Sequence, residues 1–127
     1  MEFEHQRHKP TRQLAQPREL ILVCAPLRSN VNLSRIARAA SCCGVERLIC
    51  TGHAKLERRI ARDGADQLSI DVHRSLPPVL DKLRAEGRRL TGLEQTTNSH
   101  DIHGYRFARQ TALVIGNERT GLTDDVL

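Results

Sequence analysis

The sequence predicts an α/β fold, a mostly parallel sheet with helices on both faces. Three observations support this. Short apolar runs alternate along the chain with segments of helical period. The runs are apolar at successive positions, as strands are when both faces are covered. Glycine or proline stands at most of the junctions.

The elements follow in order. Residues 19–24 (ELILVC), bounded by Pro17 and Pro26, read as a buried strand. Residues 30–43 carry Leu33, Ile36, Ala37, Ala40 and Cys43 at helical spacing, with Asn30 or Asn32 available as a cap and Gly44 as a stop. Residues 47–50 form a second strand, 55–61 a helical turn or short helix, and 69–73 a third strand of alternating character. Residues 77–86 form a helix with proline near its start and Gly87 past its end. A strand over 88–93, a polar loop over 96–104, a strand over 111–115 (TALVI) and a tight loop over 116–121 complete the pattern. A further helix is predicted from Thr123, because Asp124 and Asp125 suit the positive end of a helix dipole. Residues 1–17, with Arg7, Lys9 and Arg12 among prolines, read as a basic arm; residues 18–127 read as one domain.

Composition narrows the function classes. A chain of 127 residues can bury roughly two thirds of its unfolded surface, enough for one modest core. Aromatics are 2%, so the core is aliphatic, and platforms that stack single-stranded bases are disfavoured. No apolar run is long enough to span a membrane, and the polar start lacks a secretion signal, so a cytoplasmic location is expected. Net charge is +5, and apart from Lys9, Lys55 and Lys82 every cation is arginine. Arginine forks suit phosphate, which points to a nucleic-acid or nucleotide partner; a genome that favours arginine codons explains the composition equally well. Cys24, Cys42, Cys43 and Cys50 are expected as small buried hydrophobes. The pairs Cys50/His53 and His100/His103 each lack a second half, so no metal is expected.

In parallel sheets ligands gather at the carboxyl ends of the strands. Three loops therefore matter: those after Cys24, Leu93 and Ile115. The first (APLRSN) has no glycine, which disfavours a dinucleotide turn. The third (GNERTGL) has the glycine spacing of a P-loop but places Leu122 where the lysine belongs, so a triphosphate site is disfavoured too. Taken singly, Glu118 in that turn reads as a solvated carboxylate or a functional one. Arg35 and Arg38 on the first helix read as a solvated face or a phosphate grip.

Taken together, the pieces resemble a known family. NLSRIARAA (32–40) followed by GVERLI (44–49) resembles the first motif of the SpoU/TrmH-type RNA 2′-O-ribose methyltransferases, and ALVIGNERTGL (112–122) resembles the second. GLEQT (92–96) is similar to the branch that acts on tRNA guanosine. The resemblance implies a SPOUT-like α/β-knot fold, S-adenosylmethionine as cofactor, RNA as substrate (tRNA ahead of rRNA), a homodimer and no metal. By the motif match, Arg38, Asn32 and Glu118 stand at catalytic positions. Leu93, Glu94, Gln95, Gly116, Asn117 and Gly121 stand at the cofactor, and Arg28, Arg35, Arg38 and Arg119 at the RNA. Arginine is a poor base, so Arg38 is expected to grip a phosphate and stabilise a developing alkoxide, with Glu118 orienting Arg38 or Asn32.

The departures from the pattern are specific. SNV (29–31) replaces the usual Asn-Pro-Gly lead-in, and Cys43 stands where phenylalanine is common. No third motif is found up to Leu127, so the knot segment is expected to be lacking, cofactor binding weak and some apolar surface uncovered. A non-catalytic RNA-binding or dimerising remnant of the same fold is the alternative reading.

Overall fold

The computed structural model describes residues 2–4, 15–16, 18–62 and 68–127, so most of the arm expected over residues 1–17 lies outside the described residues. β1 (Arg18–Cys24) is the hub of the sheet. It pairs in parallel with β2 (Val45–Thr51) on one side and β5 (Thr111–Ile115) on the other, with Leu22 opposite both Leu48 and Leu113. β3 (Ile70–His73) adds beyond β2 and β4 (Arg89–Leu93) beyond β5, giving the order β3-β2-β1-β5-β4, every pair parallel. On the two edge strands Asp71, His73 and Arg89 meet solvent.

Side chains along β1 alternate between two cores. Ile21 and Val23 join Ala112, Val114 and Ile49 beneath α3 (Leu76–Ala85), which buries Leu76, Val79, Leu80 and Leu83 along one stripe. Leu20, Leu22 and Cys24 face the other way, with Leu48 and Cys50, against Leu33, Ala37 and Ala40 of α1 (Asn30–Cys43) and Ala61 of α2 (Arg58–Ala61). Helices thus cover both faces, as expected. The link from β4 to β5 contains no helix; residues 94–110 form a loop instead.

α1 has the predicted bounds. Gly44 ends it in the left-handed region (φ 67°), where its N–H reaches the carbonyls of Ala40 and Ser41. Its cap is Ser29, not Asn30 or Asn32: the Ser29 hydroxyl accepts from the Asn32 N–H. The helical turn or short helix expected over 55–61 is Arg58–Ala61; ahead of it, the N–H groups of Lys55 and Glu57 donate to α1 side chains. The helix expected from Thr123 is a single turn, with the N–H groups of Val126 and Leu127 both reaching the Thr123 carbonyl. Cys24 and Cys50 are buried as expected, side by side on β1 and β2; burial pushes their thiols up to about 12 and about 11, which leaves them protonated. Cys42 and Cys43 correct the expectation: they are exposed, on the outward side of the last turn of α1. No helix among the described residues is long and apolar enough to cross a membrane.

Leu48 is fully buried at the centre of this packing, while Val72 on the edge strand is 56% exposed. Leu48→Ala is expected to cost about 2–5 kcal/mol in urea unfolding and Val72→Ala no more than about 0.5. Equal costs at the two positions would contradict the assigned core.

Candidate functional site

Three loops meet at the carboxyl ends of β1, β5 and β4, and two carboxylates stitch them together. The Glu118 carboxylate, in the turn after β5, reaches the start of α1. One oxygen accepts from the Arg28 N–H at 2.9 Å; the other accepts from the Ser29 N–H at 2.9 Å and from Asn32 Nδ2 at 3.0 Å. The positive end of the α1 dipole adds to this attraction. Although exposed to solvent, Glu118 is held ionised: the Arg28 N–H above all, then its own N–H, the Asn32 amide and the Ser29 N–H lower its pKa from 4.5 to about 2.

The turn that presents Glu118 is rigid for identifiable reasons. Asn117 and Gly121 exchange backbone hydrogen bonds at 3.2 and 2.9 Å. The Asn117 side chain donates to the Pro26 carbonyl at 2.8 Å and accepts from the N–H groups of Arg119 and Thr120. A side chain at Gly116 would sit 2.5 Å from the Gly121 carbonyl carbon, so only glycine lets the turn close. Gly121 has φ +63°, and a side chain there would collide with the Glu94 carboxylate. Glu94, in the loop after β4, accepts from the Leu122 N–H at 2.8 Å and from the Gln95 N–H at 3.0 Å, and these two bonds lower its pKa.

Beside this seam lies an open hollow of about 1160 Å³ on the α1 side of β4 and β5. Leu93, Glu94 and Gln95 line it together with Leu113, Leu127 and the loop that carries His100, Tyr105 and Phe107. Leu93, Ile102, Phe107 and Leu127, four of the exposed large apolar side chains among the described residues, gather here. Tyr105 packs edge-on against Phe107, their ring centres 4.8 Å apart.

The structure brings Asn32, Glu118 and the backbone of Arg28 into one hydrogen-bonded group, with Asn117 and Gly121 behind it. It does not bring Arg38 to Glu118. Of the two orientations expected for Glu118, the contact made is with Asn32. Arg38 stands six residues further along α1, about 9 Å down its axis. Arg28, Arg35, Arg38 and Arg119 all have exposed side chains, and among the described residues none of the four guanidinium groups forms an ion pair. Gly116, Asn117 and Gly121 form the turn between the rim and the hollow instead of lining the hollow, in contrast to Leu93, Glu94 and Gln95. Sequence reasoning missed the Glu94 bond to Leu122, which joins positions 28 apart and leaves no local signal. It also missed Ser29 as the cap, although a serine ahead of a helical stretch is such a signal.

A carboxylate whose folded pKa lies below its unfolded value stabilises the fold at pH values above the unfolded pKa; that contribution is lost as pH falls through the folded pKa. For Glu118 the window runs from 4.5 down to about 2. Urea unfolding between these limits is expected to show stability rising with pH more steeply in the native chain than in Glu118→Gln. Identical pH slopes would contradict the hydrogen bonds assigned to the carboxylate.

Known proteins place this geometry. The chain is 26% identical to the tRNA (guanosine(18)-2′-O)-methyltransferase TARBP1 of Mus musculus, aligned over 100% of the chain and 8% of that protein. It is 25% identical to the tRNA (guanosine(18)-2′-O)-methyltransferase of Escherichia coli K12, over 76% of the chain and 43% of that protein. It therefore spans less than half the length of either relative. The TrmH/SpoU tRNA modifying enzyme of A. aeolicus shares the fold, with a TM-score of 0.78 at 20% identity over 87% of this chain and 58% of that one. The SpoU methyltransferase AviRb of Streptomyces viridochromogenes, solved with AdoMet, superposes with a TM-score of 0.65 at 27% identity over 84% of this chain and 45% of that one. The SpoU rRNA Methylase family matches residues 19–127, from the first strand through the Glu118 turn, and the chain belongs to that family.

Proposed function

We propose that this chain carries the rim of an S-adenosylmethionine-dependent RNA ribose 2′-O-methyltransferase that acts on tRNA. The observation behind this reading is the Glu118 clamp on Asn32 and the start of α1, at the strand ends of a SpoU-family chain. The named relatives are tRNA guanosine methyltransferases, which favours a guanosine ribose in tRNA over rRNA. A cytoplasmic homodimer is the assembly we assign, following the family resemblance.

The hollow fits the cofactor's chemistry. Leu93, Ile102 and Phe107 offer apolar contact to a purine, Gln95 and Ser99 offer polar partners, and the ionised Glu94 suits a cation. Leu93, Glu94 and Gln95 would hold the group; when bound, it supplies an electrophilic methyl on a sulfonium.

The chain's own residues do the rest. Asn32 donates Nδ2 to Glu118, which fixes its amide; among the described residues its Oδ1 carries no hydrogen bond and is positioned to accept from a ribose hydroxyl. Glu118, ionised and filled with donors, is a strut and not a proton acceptor. A guanidinium offers N–H donors and no acceptor, so Arg38 too is no base. Its fork grips a phosphate beside the target ribose and stabilises the oxygen as negative charge develops there, while the hydroxyl proton passes to water.

The full-length protein, assayed for methyl transfer to tRNA transcripts, tests this reading. Arg38→Lys is expected to lower kcat by at least about tenfold, because a point charge cannot replace a bidentate grip. Near-full activity would contradict the grip. Tight tRNA binding without cofactor binding or methyl transfer would favour the non-catalytic reading, to which the exposed arginines also lend themselves.

A further inference from the structure

The segment that leaves β2 is fastened to the first turn of α1. Lys55 N–H donates to Asn30 Oδ1 at 3.2 Å, and Glu57 N–H donates to Ser34 Oγ at 2.8 Å. The Ser34 hydroxyl in turn donates to the Asn30 carbonyl at 2.6 Å, and Ser34 is fully buried. A buried hydroxyl with both its donor and acceptor roles filled is a costly joint to break. α2 continues from this joint and packs on α1, with Ala61 sunk into the same core as Ala37. Asn30 is thus shared: its side chain holds Lys55, and it follows directly on Ser29, which Glu118 holds.

The consequence is electrostatic. α1 contains no acidic residue, and residues 55–62 contain one, Glu57. Across these two adjoining elements stand Arg35, Arg38, Lys55, Arg58, Arg59 and Arg62. Lys55, Arg59 and Arg62 are exposed. Their backbone is already pinned, so less ordering is lost when a ligand is gripped. Exposed cations concentrated on two packed elements next to the rim are an electrostatic footprint for a phosphate backbone.

We propose that residues 55–62 are a second phosphate-gripping element, in which Lys55 and Arg59 hold the RNA backbone beyond the nucleotide seated at the rim. This rests on the rim being an RNA site, and the test separates the two. Equilibrium binding of fluorescein-labelled tRNA to the full-length protein is measured across a salt series. Lys55→Ala and Arg59→Ala are each expected to raise Kd by about threefold to tenfold at moderate salt and to make the log Kd–log salt slope shallower by about one. Lys55→Arg is expected to restore both, and matched urea midpoints show that the variants are folded. Unchanged Kd and slope in Lys55→Ala and Arg59→Ala would overturn the proposal while leaving the rim reading intact. If the native protein binds tRNA with the expected slope yet transfers no methyl group, the catalytic reading fails and the phosphate element stands.

Discussion

One carboxylate holds the working end of this molecule together. Glu118 accepts hydrogen bonds from two backbone N–H groups about 90 residues away in sequence and from the Asn32 amide between them. Those N–H groups belong to the start of α1, where helix geometry leaves donors without internal partners. The carboxylate thus satisfies groups that would otherwise need water, and it complements the dipole of a 14-residue helix. A glutamine, of nearly the same shape, would turn its NH2 donor toward one of these N–H donors and would lack the charge that meets the dipole. The turn that aims Glu118 is built for the purpose: Asn117 braces it from within and against Pro26, and Gly116 lets its two strands touch.

A second carboxylate does the same work one strand over. Glu94 ties the exit of the turn to the β4 loop. The two acids make the three strand-end loops one unit, with β5 standing between β1 and β4 in the sheet. The arginines of the rim remain exposed to solvent. This division fits an RNA site: carboxylates spent on backbone donors do not repel phosphate at close range as free ones would, and the unspent charge is positive.

Much of this was legible in the sequence. The bounds of α1 could be read because Gly44 adopts the left-handed angle that stops a helix, and those of β5 because five consecutive residues with β-branched and apolar side chains precede a glycine. Cover on both faces of β1 could be read because its residues are apolar at successive positions. Tertiary contacts decided the rest. Nothing local in residues 55–57 reports that the Lys55 and Glu57 N–H groups will donate to Asn30 and Ser34. Motif resemblance offers Glu118 either Arg38 or Asn32 as a partner and carries no distance; the contact the carboxylate makes is with Asn32. Cys42 and Cys43 were read as buried from residue type alone, and the stripe of α1 that faces the core passes them by.

Amide hydrogen exchange by NMR measures the clamp most directly. In the native chain the Arg28 and Ser29 amides should be protected; in Glu118→Ala both should exchange freely, while the Leu122 amide, held by Glu94, keeps its protection. Rapid exchange at Arg28 and Ser29 in the native chain, or protection there that survives the loss of the carboxylate, would contradict the central role assigned to Glu118.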